Sequence, residues 1–213
     1  MFGVTDLGLF IISGLLLNLI PGPDSLYVVS HSAGRGFRAG SMAALGIGAG
    51  TFVHILAAAF GLSAIFATSA VAFTIVKVIG CLYLVYMGIS MLLAKKNNNL
   101  SKHQVNVVTV TSFKRIFYNG FLTNSLNPKV ALFFLAFVPQ FIAVDSPNKA
   151  ISFIVLGLIF NFNGMLWCHV LAWSSSTAIK KIKHNERIAH YLTKFTGSLF
   201  LYFGFKLAFS KQN

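Results

Sequence analysis

The chain has 213 residues, of which 56% are hydrophobic and only 10% are charged, and its mean hydropathy is +0.75. A soluble domain is usually about one quarter charged, so this inventory cannot supply a surface that faces water. The net charge of +13 could suit nucleic acid, but the basic residues do not cluster with aromatic side chains as an RNA-binding surface requires. Composition therefore excludes a soluble protein and indicates an integral membrane protein.

Six apolar runs are long enough to cross a bilayer, which takes roughly 20 apolar residues each. They lie near Leu7 to Ala33, Ala39 to Leu62, Ala70 to Ala94, Ile116 to Ile142, Ile151 to Ser174 and Ala189 to Phe209. Because these runs take up more than half of the chain, no room is left for a separate soluble domain. The sequence predicts an all-α integral membrane protein whose residues 1–213 form a single transmembrane domain of six helices.

The first predicted helix is interrupted near its middle by Pro21, Gly22 and Pro23, and Asp24 follows directly. Prolines remove backbone donors, and glycine permits a non-helical backbone. Irregular backbone at membrane depth persists only where protein or a watery cavity covers it. A charge at the bilayer centre costs roughly 2.5 to 3.5 kcal/mol on insertion scales. We therefore expect Asp24 to face a partner or a polar cavity.

The second predicted helix carries three closely spaced glycines, Gly46, Gly48 and Gly50, and a histidine, His54. The glycines predict close packing against a neighbouring helix, since membrane helices associate through small residues. Two interpretations of His54 stay open. It is either a proton carrier that titrates near neutrality or a buried neutral histidine that makes one interhelical hydrogen bond.

The fourth predicted helix repeats the interruption of the first, with Asn127, Pro128 and Lys129 in a row. Corresponding broken helices in two halves of a chain are the best sequence pointer to a transporter's substrate site. Asp24 and Lys129 can pair with each other. They can instead bind a zwitterion, with Asp24 holding its ammonium, and Lys129 and the positive end of a half-helix holding its carboxylate. A static ion pair, or a Lys129 that extends to the membrane surface, is the alternative.

The fifth predicted helix contains His169, which has the same two interpretations as the histidine of the second helix. Asn161 and Asn163 either line a path or bond a neighbouring helix. Trp167 is expected at the lipid-facing surface or the interfacial belt. Cys168 is expected to be a small buried hydrophobe rather than a disulfide partner or a metal ligand.

Eleven of the 17 basic residues fall in the first, third and fifth connections between the predicted helices, and a twelfth, Lys194, lies near the start of the sixth predicted helix. The positive-inside rule therefore predicts that both termini lie outside and that a linker at about 95–115 is cytoplasmic. This linker separates repeat one, at about 1–95, from repeat two, at about 116–213. With three helices in each half, the repeats would be inverted. Residues 23–26, 54–57 and 77–80 match residues 128–131, 169–172 and 194–197 in order.

Several motifs occur in a fixed order, namely Pro21-Gly22-Pro23-Asp24, Gly46, Gly50, Gly61-Leu62, Lys77-x-x-Gly80-x-x-Tyr83-Leu84-x-Tyr86-x-Gly88 and Asn127-Pro128-Lys129. With these motifs the chain resembles the LysE/RhtB family of amino-acid exporters from about Leu7 to Phe209. The resemblance implies a secondary transporter of the bacterial inner membrane that exports amino acids or derivatives such as homoserine, threonine or lysine by proton antiport. It also implies that the motif residues of the two broken helices form the substrate site.

The residues themselves support a small zwitterionic solute, bound between the repeats within the lipid bilayer. If protons are antiported, Asp24 must serve both the proton and the substrate, or a histidine must help. Neither a cofactor nor a metal nor a nucleic-acid partner is expected, and the oligomeric state, a homo-oligomer included, stays open.

Two other functions stay open at this point. The first is a cation or metal exporter with Asp24 and His54 or His169 as ligands, although Lys129 would oppose a divalent ion. The second is a passive channel for small solutes. An enzyme is not expected, because hydrolysis needs paired carboxylates, a metal cluster or a nucleophile with its base.

Overall fold

The computed structural model describes residues 3–64, 70–93, 112–143, 146–177, 194–195 and 197–205. These ranges are almost entirely helical, with an isolated antiparallel bridge between Val4 and Ile142. The helices are α1 (Leu7–Leu19), α2 (Pro23–Arg35), α3 (Phe37–Leu56), α4 (Ala70–Leu93), α5 (Phe113–Ser125), α6 (Pro128–Leu132), α7 (Lys149–Thr177) and α8 (residues 197–205). A π-helix (Ala57–Leu62) continues α3, while a π-helix (Phe133–Phe137) and a 3-10 helix (Val138–Phe141) continue α6.

The described part of the chain has two helices that are long and apolar enough to cross a membrane, α7 and α3 with its extension. Two further spans result if each bent pair counts as one, since α1 meets α2 at 55° and α5 meets α6 at 44°. The predicted all-α membrane fold and its two breaks at the proline motifs are confirmed. The linker at 95–111, most of the fifth connection and about half of the predicted sixth helix lie outside the described residues. The inverted six-helix repeat therefore stays a prediction.

The first break follows from the backbone preferences of its residues. Ile20 is extended (φ −72°, ψ 121°), as sterics favour for a residue that precedes proline. Gly22 is also extended and caps α2, whose first residue is Pro23. Proline suits that position because the first amide of a helix has no partner within the helix. Asp24 thereby becomes the second residue of a new helix inside the membrane span.

The second break has the same plan with a different cap. Asn127 precedes α6, and its side-chain oxygen accepts a hydrogen bond from the backbone N–H of Lys129 at 3.0 Å. Asparagine is a favourable residue for this capping position. Pro128 is the first residue of α6 and Lys129 the second. In both breaks, proline thus starts the helix and a charged residue follows it.

Glycines bring two pairs of helices close together. A Cβ atom at Gly50 of α3 would lie 2.6 Å from the carbonyl oxygen of Phe121 in α5, and Gly46 meets the same helix one turn earlier. A Cβ atom at Gly88 of α4 would lie 2.8 Å from the carbonyl oxygen of Gly197 in α8. These distances leave no space for a side chain, so the close packing predicted for Gly46 and Gly50 is confirmed, and Gly88 packs in the same way.

Two apolar clusters form the interior. The larger one is rich in phenylalanine and surrounds the extension of α6, with stacked rings such as Phe133 and Phe160 at 4.5 Å between centroids. The smaller one joins α2, α3, α5 and α7, and four of its eight buried members in the described structure are alanines. Phe160 of the first cluster and Ile47 of the second line the same cavity. The site described below therefore lies between the two clusters.

Candidate functional site

The two oxygens of the Asp24 carboxylate have different surroundings. Oδ2 accepts hydrogen bonds from the side-chain amides of Asn124, at 3.0 Å, and Asn127, at 2.9 Å. Oδ1 is buried and has no hydrogen-bond partner among the described residues. The N-terminal end of α2 also favours a negative charge at this position. The break between α5 and α6 thus holds one carboxylate oxygen and leaves the other one free to bind.

Lys129 binds the other break. Its ammonium donates hydrogen bonds to the carbonyl oxygens of Leu17, at 2.8 Å, and Ile20, at 3.1 Å. Carbonyls at the C-terminal end of a helix lack partners within the helix and attract cations. An ammonium has three protons, so one remains after these two bonds. Lys129 therefore caps the C-terminal end of α1 and has one further N–H that can donate to a bound solute.

Each charged residue is held by the half of the protein that it does not belong to, an arrangement that we call the reciprocal clamp. It consists of Asp24 with the amides of Asn124 and Asn127, and of Lys129 with the carbonyls of Leu17 and Ile20. The direct ion pair considered from the sequence is not what the structure shows. The reason is that each helix break offers the opposing charge two polar groups of the matching kind, two amide donors for Asp24 and two carbonyl acceptors for Lys129.

Asp24 and Lys129 line a common cavity of about 40 Å³. This is space for only a few water molecules, since one water needs at least about 10 to 15 Å³. The polar part of the lining also includes Asn18, Asn124 and Asn161. The apolar part includes Ile47, Gly48, Val130, Phe160 and Met165. The cavity therefore combines two opposite charges with an apolar wall, as small-molecule sites commonly do.

Two further buried donors at this cavity, Asn18 Nδ2 and Trp167 Nε1, have no hydrogen-bond partner within the described ranges. Together with the remaining proton of Lys129, they can receive an anionic group. The unpartnered oxygen of Asp24 can receive a cationic group. Buried polar groups are normally paired, so this set is chemically matched to a solute that carries both charges.

The two histidines predicted as site residues do not line the cavity in the described structure. His54 Nε2 is 2.9 Å from the carbonyl oxygen of Asn124. A carbonyl only accepts, so this nitrogen carries the proton and His54 fixes the residue that holds Asp24. His169 Nδ1 lies 2.8 Å from a carbonyl one turn earlier, and its Nε2 lies 3.1 Å from Ser41 Oγ. Both histidines join helices, and a role in proton transfer stays a prediction.

Of the remaining predicted site residues, some shape the backbone at the helix breaks and others line the cavity. Pro21, Pro23 and Pro128 are exposed and act by shaping the breaks, whereas Gly22 lines the cavity beside the Lys129 ammonium. Asn163 does not line the cavity in the described structure, but Asn161, two positions earlier, does. Asn163 points about 200° away from Asn161 around α7, and its side chain lies outside the face of α7 that lines the cavity.

Sequence reasoning missed part of the α7 lining. Trp167, expected at the lipid surface, lines the cavity, and so does Cys168, which was expected only as a buried hydrophobe. The signal that could have found this face is the helical spacing of Asn161, Gly164 and Cys168, which places a polar residue and two small residues on one stripe. The expectation for Trp167 was wrong because an indole is amphipathic and suits both a membrane interface and a partly polar site.

Comparisons with known proteins match nearly the whole chain. The model of the LysE type translocators matches residues 15–211. A leucine efflux protein of Salmonella typhimurium strain LT2 is 30% identical over 207 residues, which cover 97% of this chain and 96% of that protein. An uncharacterized membrane protein of Pseudomonas aeruginosa is 31% identical over 210 residues, covering 97% and 96%.

A leucine efflux protein of an Enterobacter species, strain 638, is 28% identical over 207 residues, which cover 97% of each chain. No solved structure matches the chain. The resemblance inferred from the motifs is thereby confirmed over nearly the whole length. The chain belongs to the LysE type translocator family, and it is a membrane transporter rather than an enzyme.

Proposed function

We propose that the protein exports amino acids across the bacterial inner membrane in exchange for protons. The observation that carries this proposal is the cavity between the two helix breaks, where the unpartnered Asp24 oxygen and the donors of Lys129, Asn18 and Trp167 converge. Relatives named leucine efflux proteins support an amino acid as the solute.

In the proposed complex, the substrate ammonium binds Asp24 Oδ1. The substrate carboxylate binds the remaining Lys129 proton together with Asn18 Nδ2 or Trp167 Nε1. A zwitterion that leaves water loses the hydration of both charges, and the site must replace it at both ends. The paired arrangement of one carboxylate and several donors meets this requirement, whereas a metal cation would meet repulsion from Lys129.

The cavity of about 40 Å³ holds a few waters rather than an amino acid, so binding requires the helices to separate. We propose that repeat one, at about 1–95, and repeat two, at about 116–213, rock against each other about the two breaks. Alternating access of this kind is typical of inverted-repeat transporters whose site lies at discontinuous helices. The matched positions of proline and charge in the two breaks support this division of the chain.

Proton coupling can use the same carboxyl group. The amides of Asn124 and Asn127 donate to Oδ2, which leaves Oδ1 to bind either a proton or the substrate ammonium. Protonation from the outside would release the ammonium, and deprotonation inside would restore the site. Competition of proton and substrate for one oxygen gives antiport without a second titratable group.

The orientation in the membrane follows the basic residues. The guanidinium of Arg35, at the end of α2, lies 5.7 Å from the ring centre of Phe113, at the start of α5. The first connection and the start of α5, with Lys114 and Arg115, are therefore near each other. We propose that this basic end faces the cytoplasm and that both termini face outward.

A direct test is efflux from cells loaded with leucine-containing dipeptides, with free amino acids measured outside the cells. We expect Asp24→Asn and Lys129→Met to reduce the transported flux to that of cells with an empty vector. Lys114→Met, which removes an exposed lysine away from the cavity, should export at the parent rate. The amounts of each variant in the membrane are compared by immunoblotting.

Two results would contradict the proposal. Parent-like efflux from both cavity variants at equal membrane levels would show that the charges are not the site. Efflux from the parent that equals the vector control for every amino acid would exclude amino-acid export itself.

A further inference from the structure

We propose that Gly48 and Met165 form the subsite for the substrate's side chain and select neutral aliphatic amino acids by size. The inference rests on the proposed function, in which the charged groups of the cavity hold the substrate's ammonium and carboxylate. The inference adds to that function a subsite for the side chain, a class of substrate, and the pair of residues that selects the substrate by size.

Gly48 differs from the two glycines beside it in α3. Gly46 and Gly50 lie one turn apart and meet the backbone of α5, so helix packing explains both. Gly48 lies between them in sequence, faces α7 and lines the cavity. Gly48 therefore packs against a side chain that lines the cavity, whereas its two neighbours pack against helix backbone.

Met165 lies directly over Gly48. A Cβ atom at Gly48 would overlap the Met165 sulfur and would lie 3.1 Å from Cγ and 3.4 Å from Cε of that side chain. The glycine thus allows the methionine to lie flat against α3. Because both residues line the cavity, any movement of the methionine away from the glycine enlarges the space beside the charged groups.

The surroundings of this pair indicate which side chains fit. Ile47, Val130 and Phe160 line the same cavity and offer no side-chain hydrogen-bond partner. The polar residues one turn from the pair, Thr51 and Asn161, are uncharged. A charged side chain placed there would lose hydration without replacement, whereas an aliphatic one would gain apolar contacts. The substrate class that this wall accepts is therefore a neutral amino acid with an aliphatic side chain.

Methionine is suited to setting a size limit. It is unbranched, has three rotatable bonds and fills irregular space. When it lies on Gly48 the cavity is small, and when it turns aside the space above the glycine becomes available to the substrate. The longest accepted side chain is then set by how far Met165 can retreat, and an aromatic ring would require its removal.

The test is efflux of alanine, leucine and phenylalanine, measured together from cells loaded with the three amino acids as dipeptides. Met165→Ala should raise the ratio of phenylalanine to leucine efflux about tenfold, since a difference of one or more methylenes in an apolar pocket is worth about 10- to 200-fold. Gly48→Ala should lower leucine efflux about tenfold and leave alanine efflux near the parent rate. The double variant should recover leucine efflux, because the truncated residue no longer meets the added methyl group.

Gly8→Ala is the matched control, since a Cβ atom at Gly8 meets nothing within 4 Å; it should keep the parent ratios. If the parent exports leucine and Met165→Ala keeps the parent ratios at equal membrane levels, the subsite is wrong and amino-acid export still stands. Parent efflux equal to the vector control would instead remove the exporter proposal and the subsite with it. Met165→Ala removes atoms and creates no clash, so it decides the question even where Gly48→Ala fails to insert.

Discussion

Asn124 connects His54 of α3 to Asp24 of α2, since its backbone carbonyl contacts the histidine and its side-chain amide contacts the carboxylate. Its amide donates to Asp24, its carbonyl oxygen accepts from His54, and its side-chain oxygen lies 3.2 Å from Thr51 Oγ1. Networks of this kind orient their members more firmly than isolated bonds do. His54 does not contact the carboxylate itself, but it holds Asn124, which donates a hydrogen bond to the carboxylate.

This geometry predicts that His54→Gln keeps transport and its pH dependence. The glutamine side-chain nitrogen can replace Nε2 as a donor to Asn124 but does not titrate. His54→Ala should slow efflux roughly fivefold, as expected for the loss of a buried hydrogen bond of about 1 kcal/mol. Efflux as a function of external pH measures both effects. A flat pH profile for His54→Gln, with efflux otherwise intact, would make His54 a proton carrier.

Asn127 has two bonds with separable consequences. Its oxygen caps α6, and its nitrogen donates to Asp24. Asn127→Ser should preserve the cap, since serine suits that position, whereas Asn127→Ala should cost about 1 kcal/mol of helix stability. Both variants lose the donor to Asp24, so both should export more slowly, but only the alanine variant should also melt at a lower temperature. Equal export by parent and Asn127→Ser would show that this donor is dispensable.

Among the described helices, the contact of α3 with α5 leaves little room for change, because glycines of α3 meet the backbone of α5. Gly50→Ala would place a methyl group 2.6 Å from the Phe121 carbonyl oxygen, which is backbone and cannot turn aside. Overpacking of this kind typically costs about 1 to 3 kcal/mol. We expect a lower thermal midpoint for the purified protein in detergent, with Gly61→Ala as a control that meets nothing within 4 Å. An unchanged midpoint would mean that the two helices can separate freely.

The breaks of α1 and α5 could be predicted because their causes are local. Proline and glycine act on their own backbone, and the sequence Asn127-Pro128-Lys129 carries both the cap and the helix start. The partners of the two charges could not be predicted, because they depend on where a distant helix end lies in space. The same holds for Gly46 and Gly48, which are alike in sequence and differ only in the helix that each one faces.

At the scale of the whole molecule, the proposed antiport predicts a response to a proton gradient. In vesicles loaded with labelled leucine, acidification of the outside by one pH unit should speed efflux, and a proton ionophore should remove the gain. A gradient of one unit corresponds to about 1.4 kcal/mol, or tenfold in the final distribution for one proton per substrate. A channel would follow the leucine gradient alone, and Asp24→Asn should show no gain.

The reciprocal clamp has a consequence for the direction of flux. In some carriers the charged residues of the site are paired only by the bound solute. Such a carrier can change its orientation only with solute bound, because closing an empty site would bury unpaired charges. It exchanges one solute molecule for another and leaves the total amount of solute on each side of the membrane unchanged. Here the helix ends themselves bind Lys129 and Asp24, so the return step of the proposed cycle would need no solute. We therefore expect net depletion of the cytoplasmic pool, with no amino acid required on the opposite side.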